Sequence, residues 1–342
     1  MKAMLLKSIS NLDENKTPLQ SVTIADPALM ERQVVIKVSA CGVCHTELDE
    51  IEGRTPPPEF PIILGHQVIG RVVEKGENSC RFELGSRVGV GWIYSSCGTC
   101  TFCKSGNENL CGQFKATGRD ANGGYAEYMA AYEDFAFALP DLFTDIHAAP
   151  LLCAGAIGYR SLRLSGLQNG KILGLTGFGA SAHLVLKMVK HKYPDANVFI
   201  FARSEREREF ALEIGAAWAG DSKDCPPEKL DCIIDTTPAY KPVIEALKNL
   251  KSGGRLIINA IRKENADMDY LLNLDYPTHL WMEKEIKSVA NVTRQDISEF
   301  LTIASQIPLI PEVEVFDLED ANRALMELKE KKIRGAKVLV IG

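Results

Sequence analysis

The sequence predicts an α/β protein in two parts, a β-rich, barrel-like half followed by a parallel sheet covered by helices. Three observations carry this. A chain of 342 residues, at about 100–200 residues per domain, suggests two domains with a core large enough to need no disulfide staples. Residues 1–150 read as short strands punctuated by Gly and Pro, and from about residue 155 strands and helices alternate. Hydrophobic content of 46% with 25% charged residues is that of a globular chain without disordered tracts.

In order, the first half offers the strands "QVVIKVSA", "QVIGRVVEKG", "SRVGVGW" and "GGYAEYMAA". The second half offers the strands "KILGLTG", "NVFIFARS", "LDCIIDTT" and "GGRLIINA". Between them lie the helical stretches "SAHLVLKMVKHK", "EREREFALEIGA" and "KPVIEALKNL". Strand–helix–strand order of this kind implies parallel pairing, because each crossover returns over one face of the sheet. After about residue 290 come two more helices, "DISEFLTIASQI" and "LEDANRALMELKEKK", and a last strand, "AKVLVIG". No internal repeat interrupts this order.

Charge and hydropathy exclude several classes. A net charge of −6 and no local basic face weigh against nucleic acid as a partner. The longest uncharged apolar run, Ala148 to Tyr159, is about twelve residues, below the roughly 20 needed to span a bilayer. The N-terminal "MKAMLLKSISNLDENK" turns polar too early for a secretory signal, which predicts a cytoplasmic protein. Clustered cysteines in a reducing compartment serve as metal ligands or catalytic thiols rather than disulfides. The stretch "CGVCHTELDE" (41–50) therefore reads as a metal or redox element, and covalent haem, attached outside the cytosol, is set aside.

The turn after "KILGLT" holds Gly177, Gly179 and Ala182 in a G-x-G-x-x-A pattern, directly after a predicted strand and opening a predicted helix. In that context the glycines let the backbone approach a pyrophosphate, which sits on the free N–H groups of the helix start. The next strand ends in Ala202, Arg203 and Ser204 instead of the carboxylate that would bind a ribose 2′-hydroxyl. Arg203 and Ser204, with Arg206 nearby, suit a 2′-phosphate, so NADP is favoured over NAD. The same residues also spell a capping box, with Ser204 as N-cap and Glu207 at N3.

Cys97, Cys100, Cys103 and Cys111 fall within fifteen residues. Four thiolates at such spacing suit a closed tetrahedral structural zinc site in a lobe of about 95–113. The rival, an iron–sulfur cluster, lacks its C-x3-C-P ending here. Three further candidates are scattered: the Cys41/Cys44 pair, His66 in "ILGHQVIG", and Cys153 in "APLLCAGAIGYRSL". Taken singly, His66 and Cys153 read as core residues.

Together, "CGVCHTELD", "GHQVIG", the four-cysteine lobe, "GGYAEY", "LLCAG", "LTGFGASAH" and "IRGAKVLVIG" closely resemble the zinc-dependent medium-chain alcohol dehydrogenases along essentially the whole chain. The resemblance implies a catalytic domain with a GroES-like β fold over residues 1–154 and 291–342, and a Rossmann domain, doubly wound and parallel, over 155–290. It implies Cys44, His66 and Cys153 as ligands of a catalytic zinc, with Cys41 not a ligand. It assigns Thr46 to the alcohol proton, His45 and Arg334 to the cofactor pyrophosphate, and Glu47 to holding the His66 ring behind the metal. Two zinc ions per chain and a homodimer or homotetramer follow from the same likeness.

Two positions depart from the family's pattern. Asp49 stands where many members end the proton relay with a histidine, so either this carboxylate or water receives the proton. Gln67 stands where a glutamate usually lies behind the zinc, which puts any ligand-exchange role there in doubt. Trp92, Ile93 and Tyr94 precede the lobe where the family lines its alcohol pocket, and Ile157 takes the place of a threonine beside the nicotinamide. Bulky apolar walls suggest a primary or aromatic alcohol and its aldehyde, with a polyol or other specialised zinc dehydrogenase as the alternative. A zinc-binding interaction module would account for the lobe but not for the nucleotide turn.

Overall fold

In the computed structural model, which describes residues 1–330 and 335–342, the chain divides into two compact units. One comprises Met1–Cys153 with Val292–Gly342, the other Ala154–Asn291.

The first unit runs through β1 (Lys2–Leu6), β2 (Leu19–Thr23), β3 (Gln33–Val43), α1 (His45–Ile51), β4 (Ile62–Ile63), β5 (Val68–Lys75) and β6 (Arg87–Val90). It continues through β7 (Ile93–Ser95), α2 (Thr101–Lys104), β8 (Lys115–Ala116), β9 (Tyr128–Tyr132), β10 (Ala136–Ala138) and α3 (Asp145–Ala148). The second unit holds α4 (Ala154–Ser165), β11 (Ile172–Thr176), α5 (Ala180–Lys192), β12 (Asn197–Phe201), α6 (Glu205–Glu213) and β13 (Trp218–Gly220). It ends with β14 (Leu230–Asp235), α7 (Lys241–Leu247), β15 (Leu250–Ile258), α8 (Tyr276–His279) and β16 (Glu285–Ser288). The chain then returns to the first unit with α9 (Arg294–Gln306), β17 (Val313–Asp317), α10 (Ala321–Lys329) and β18 (Ala336–Val340).

β3 is the spine of the first unit. It pairs antiparallel with β5 along its length, with β9 over Gln33–Lys37 and with β18 over Ala40–Val43. The sheet order is β10-β6-β5-β3-β18-β17, and a three-stranded sheet β2-β1-β4 lies apart from it. Nearly every β3 side chain is buried, as a strand covered on both faces requires. The core gathers Leu6, Ile36, Ile63, Tyr125 and Met129, together with Phe316, Leu325 and Leu339 from the C-terminal return. That shared apolar core is why the last fifty residues leave the second unit and close the first.

The second unit is a parallel sheet in the order β13-β12-β11-β14-β15-β16. All five residues of β11 are buried, which matches a strand with helices on both faces. The strand order reverses between β11 and β14, and the carboxyl ends there are level: Thr176 is opposite Phe201 on one side and Asp235 on the other, and Asp235 is opposite Ile258. Such a reversal opens a crevice outside the carboxyl ends. Among the described residues, no helix is long and apolar enough to cross a membrane.

Local structure departs from the sequence reading in identifiable places. "GGYAEYMAA" is a strand only from Tyr128, because Gly123, Gly124 and Tyr125 donate their N–H groups to Ile63, Gly65 and Leu64 instead. "HTELDEI" forms a helix, nucleated where Glu47 reaches back to the N–H of Cys44 at 2.8 Å. Ser204 does sit at the N-cap of α6, yet its hydroxyl makes no capping hydrogen bond; the residue is exposed and solvent competes for it. Gly177 has φ +78°, and a Cβ there would lie 2.9 Å from Thr236 Oγ1 and 3.0 Å from Thr237 Cγ2. Gly177→Ala should therefore cost at least about 1–2 kcal/mol, seen as an earlier denaturant midpoint with unchanged far-ultraviolet circular dichroism. An unmoved midpoint would mean that this turn carries no conformational constraint.

Candidate active site

Three side chains distant in sequence converge in the first unit. Cys44 is the N-cap of α1, His66 lies between β4 and β5, and Cys153 follows a single 3-10 turn, Ala149–Leu152. Their ligand atoms lie within 4.8 Å of one another. Cys44 Sγ is 3.9 Å from Cys153 Sγ, and His66 Nε2 is 3.4 Å from the same sulfur. Ligands about 2.3 Å from a tetrahedral zinc are roughly 3.8 Å apart, so the spacing suits one ion.

Local folding dictates each position. Glu47, fully buried, accepts the Cys44 N–H on Oε2, and its Oε1 lies 2.7 Å from Nδ1 of His66. One carboxylate thereby fixes both the loop that carries the thiol and the tilt of the ring, leaving Nε2 turned to the sulfurs. The backbone before His66 is pressed against the "GGYAEY" segment: at Gly65, φ +97°, a Cβ would meet the Tyr125 ring at 2.4 Å.

The electrostatics favour a cation. A hydrogen bond from Cys153, helped by His66, draws the Cys44 thiol well below its ordinary range against the effect of burial. That bond, with burial, holds the Cys153 proton well above it. Burial opposes a charged His66, but the Glu47 carboxylate and Cys44 outweigh it and raise the ring. A buried set of two cysteines and a histidine gives up its protons as it takes a metal dication.

The remaining assigned residues divide. Thr46 Oγ1 is 3.7 Å from Cys44 Sγ. His45 is exposed at the start of α1, and Cys41 is fully buried on β3. Asp49 is buried with its Oδ1 2.5 Å from Nε of Arg54. Gln67 packs over Gly42, where a Cβ would be 2.4 Å from its Oε1. Trp92 sets its ring edge-on to His66 at 5.2 Å, and the Arg119 guanidinium lies 5.9 Å over the indole.

The pocket expectation needs correction at two neighbours. Ile93 is fully buried and pairs with Ala116. Tyr94 accepts a hydrogen bond from Gln33 Nε2 at 2.8 Å and stacks edge-on with Tyr132, burial pushing its hydroxyl up to about 12. Tyr94 packs against the first unit's core, and Ile93 is enclosed beside β8. Glu50 escaped the sequence reading: it is fully buried, and among the described residues neither carboxylate oxygen has a hydrogen-bond partner. Burial, then the nearby Glu47 charge, holds it well above the usual carboxylate range. Its position three residues after Glu47, on the same helix face, is the signal that was available.

In the lobe, the sulfurs of Cys97, Cys100, Cys103 and Cys111 also lie within 4.8 Å of one another. Backbone N–H groups point at them, from Cys100 to Cys97 at 3.4 Å and from Gln113 to Cys111 at 3.3 Å. Such donors, those of Thr99 and Cys100 first, draw the Cys97 thiol down to about 6. Four closed thiol ligands with room for a single ion fit a structural zinc. Cys80 and Cys225 are exposed and Cys232 is buried on β14.

In the second unit, Gly177 and Gly179 form the turn between β11 and α5, Gly179 as N-cap with nothing within 4 Å of the site of a Cβ. Ala182 is fully buried behind it. The backbone N–H groups at the helix start are thus approachable by a phosphate. Arg203, Ser204 and Arg206 are exposed beyond β12, and Arg208 pins this corner by donating to the carbonyls of Ala202 and Arg203. Ile157 lies on α4. Arg334 lies outside the described residues.

The alcohol dehydrogenase GroES-like domain family matches residues 30–141. A probable alcohol dehydrogenase of Mycobacterium tuberculosis is 40% identical over 329 residues, 95% of this chain and 93% of the relative. An alcohol dehydrogenase of Geobacillus stearothermophilus is 32% identical over 342 residues, 96% and 97% of the two chains. The solved structure of a cinnamyl alcohol dehydrogenase of Sorghum bicolor superposes with a TM-score of 0.82 at 26% identity, over 99% of this chain and 98% of that one. With such identity sustained along nearly its whole length, the chain belongs to the zinc-type medium-chain alcohol dehydrogenase family of oxidoreductases.

Proposed function

We propose that this chain is a zinc-dependent alcohol dehydrogenase that moves hydride reversibly between a primary or aromatic alcohol, or its aldehyde, and NAD(P), with NADP preferred. One observation carries the reading: Cys44, His66 and Cys153 present two sulfurs and a nitrogen within 4.8 Å, the donor set of a catalytic zinc that keeps a position for substrate. Zinc held by these three supplies Lewis acidity towards an alcohol or carbonyl oxygen. The protein contributes charge and placement. Two thiolates balance a dication, and Glu47 keeps the His66 ring in one orientation.

Thr46 Oγ1, 3.7 Å from Cys44 Sγ, receives the alcohol proton. Asp49 is engaged by Arg54, so the proton leaves Thr46 for water rather than for that carboxylate. Trp92, whose ring meets that of His66 at 5.2 Å, sets an aromatic side chain beside the metal ligands and so favours an aromatic alcohol, in keeping with the cinnamyl alcohol named for the sorghum protein. Preference for NADP is supported by exposed Arg203, Ser204 and Arg206 and by the lack of a carboxylate over Ala202–Ser204. The lobe holds a second, structural zinc. Six ligand thiols suit a reducing cytoplasm. A homo-oligomer is supported by β16, an edge strand whose four residues are all exposed beside exposed Trp281 and Met282; a second copy pairing there covers the edge.

Metal analysis should find about two zinc per chain. Cys153→Ser or His66→Asn should remove about one and abolish turnover, and Cys100→Ser should remove the other. A native chain that holds zinc at the lobe alone would overturn the enzyme reading. Thr46→Ser should stay within about tenfold of native kcat, whereas Thr46→Ala should lose about 10²–10⁴-fold; an active alanine variant refutes the relay. Arg203→Ala should lower kcat/KM with NADP by about 10–100-fold and leave NAD untouched, and a native preference for NAD sinks the NADP assignment. Ile286→Lys, on β16, should convert the oligomer to monomer in sedimentation velocity, a result that a native monomer would make meaningless and thereby refute.

A further inference from the structure

At the carboxyl end of β14, on the line where the strand order reverses, a buried ion pair has no part in the reaction described so far. Asp235 is fully buried. It accepts from Thr176 Oγ1 at 2.5 Å and from Thr237 Oγ1 at 2.8 Å, and it forms an ion pair with Nζ of Lys263. Lys263, in the loop after β15, also donates to the Thr237 carbonyl at 2.7 Å. The same corner is drawn together by Thr236, whose N–H and hydroxyl both reach the Thr176 carbonyl, and by Asn259, whose N–H reaches the Asp235 carbonyl at 2.7 Å. All of this abuts Gly177, the first residue of the nucleotide turn.

Stability does not explain such a pair, since a buried ion pair is often no better than apolar residues of the same size. Its geometry suggests placement. An ammonium has three donors, and two are used, on Asp235 and on Thr237. The Asp235 side chain is wholly enclosed, whereas Lys263 keeps 9% of its side chain open, so the open partner is the cation. A dinucleotide that rests its pyrophosphate on the turn after β11 and its adenosine half over β12 must lay its nicotinamide half over the β14 side.

Resting on the dinucleotide reading above, we propose that Lys263 binds the nicotinamide half of NAD(P), giving its third N–H to an acceptor oxygen of that half's ribose or carboxamide while Asp235 holds the ammonium in place. Asp235 is then a positioning residue and Lys263 a cofactor contact. The pair sets the position of the nicotinamide end independently of Arg203, which reads the adenosine end from beyond β12.

The test separates the two halves of the cofactor. NADPH and 2′-phospho-ADP-ribose, which lacks the nicotinamide, are titrated against the native full chain and against Lys263→Met by calorimetry. The expected result is at least tenfold weaker NADPH binding in Lys263→Met, with 2′-phospho-ADP-ribose within threefold of native. Unchanged NADPH affinity, or equal loss of both ligands, overturns the proposal. Should Lys263→Met fail to fold, hydrogen–deuterium exchange on the native chain decides: residues 259–264 should exchange more slowly with NADPH than with 2′-phospho-ADP-ribose, and equal exchange overturns it. A native chain that binds neither of these ligands, and NADH no better, overturns the dinucleotide reading itself, a result distinct from loss confined to the nicotinamide half.

Discussion

The Glu47 carboxylate is the constraint on which the first unit's site depends. It is enclosed completely, yet it spans two elements that are far apart in sequence, the N–H of Cys44 at the head of α1 and Nδ1 of His66 beyond β4. Enclosing a carboxylate is unfavourable unless it is paired, and here Oε2 takes the Cys44 N–H while Oε1 faces the His66 ring at 2.7 Å. Loss of the His66 ring would leave an uncompensated charge, at a cost of about 3–5 kcal/mol. The helix, the ligand loop and the histidine therefore form as a unit or not at all, and the thiol of Cys44 inherits its position from that unit.

The same economy explains why the two cysteine sites look different. In the lobe the four thiols are near in sequence, and short loops with inward N–H groups gather them, so a closed ligand set needs little from the rest of the fold. Cys44, His66 and Cys153 come from three separated segments and depend on β3, on the Gly65–Tyr125 contact and on the turn after Ala149 to bring them together. A site assembled from distant segments can keep a ligand position open, because no single loop wraps the ion.

What could be read from the sequence follows from the range of the forces involved. The two-part α/β architecture was legible because strand and helix periodicity is local and long segments repeat it, and the GroES-like and Rossmann assignments came with the family motifs. The conformation of the glycine turn was legible for the same reason, since it is written in adjacent residues. The fate of Ile93 and Tyr94 was not, because alternation on a three-residue strand does not say which face is the core. Asp49 beside Arg54 was equally hidden: the pairing of a carboxylate on α1 with an arginine beyond its end is a matter of side-chain reach, and the motif comparison that singled out Asp49 contains no information about its partner.

Buried carboxylates recur as a device across the chain, each fixing a nitrogen group near a site. Glu47 orients His66. Glu108, within the lobe, accepts from the backbone N–H and Nε of Arg294 at 2.8 and 3.1 Å and so ties the lobe to the start of α9. Asp235 holds Lys263 at the strand ends of the second unit. Apolar packing of similar volume would serve stability as well in any of the three, but it has no direction. A carboxylate has direction, through lone pairs that accept hydrogen bonds along narrow angles. Where a ring, a lobe or an ammonium must be held to a fraction of an ångström, that directionality is what the buried charge supplies and what an apolar contact lacks.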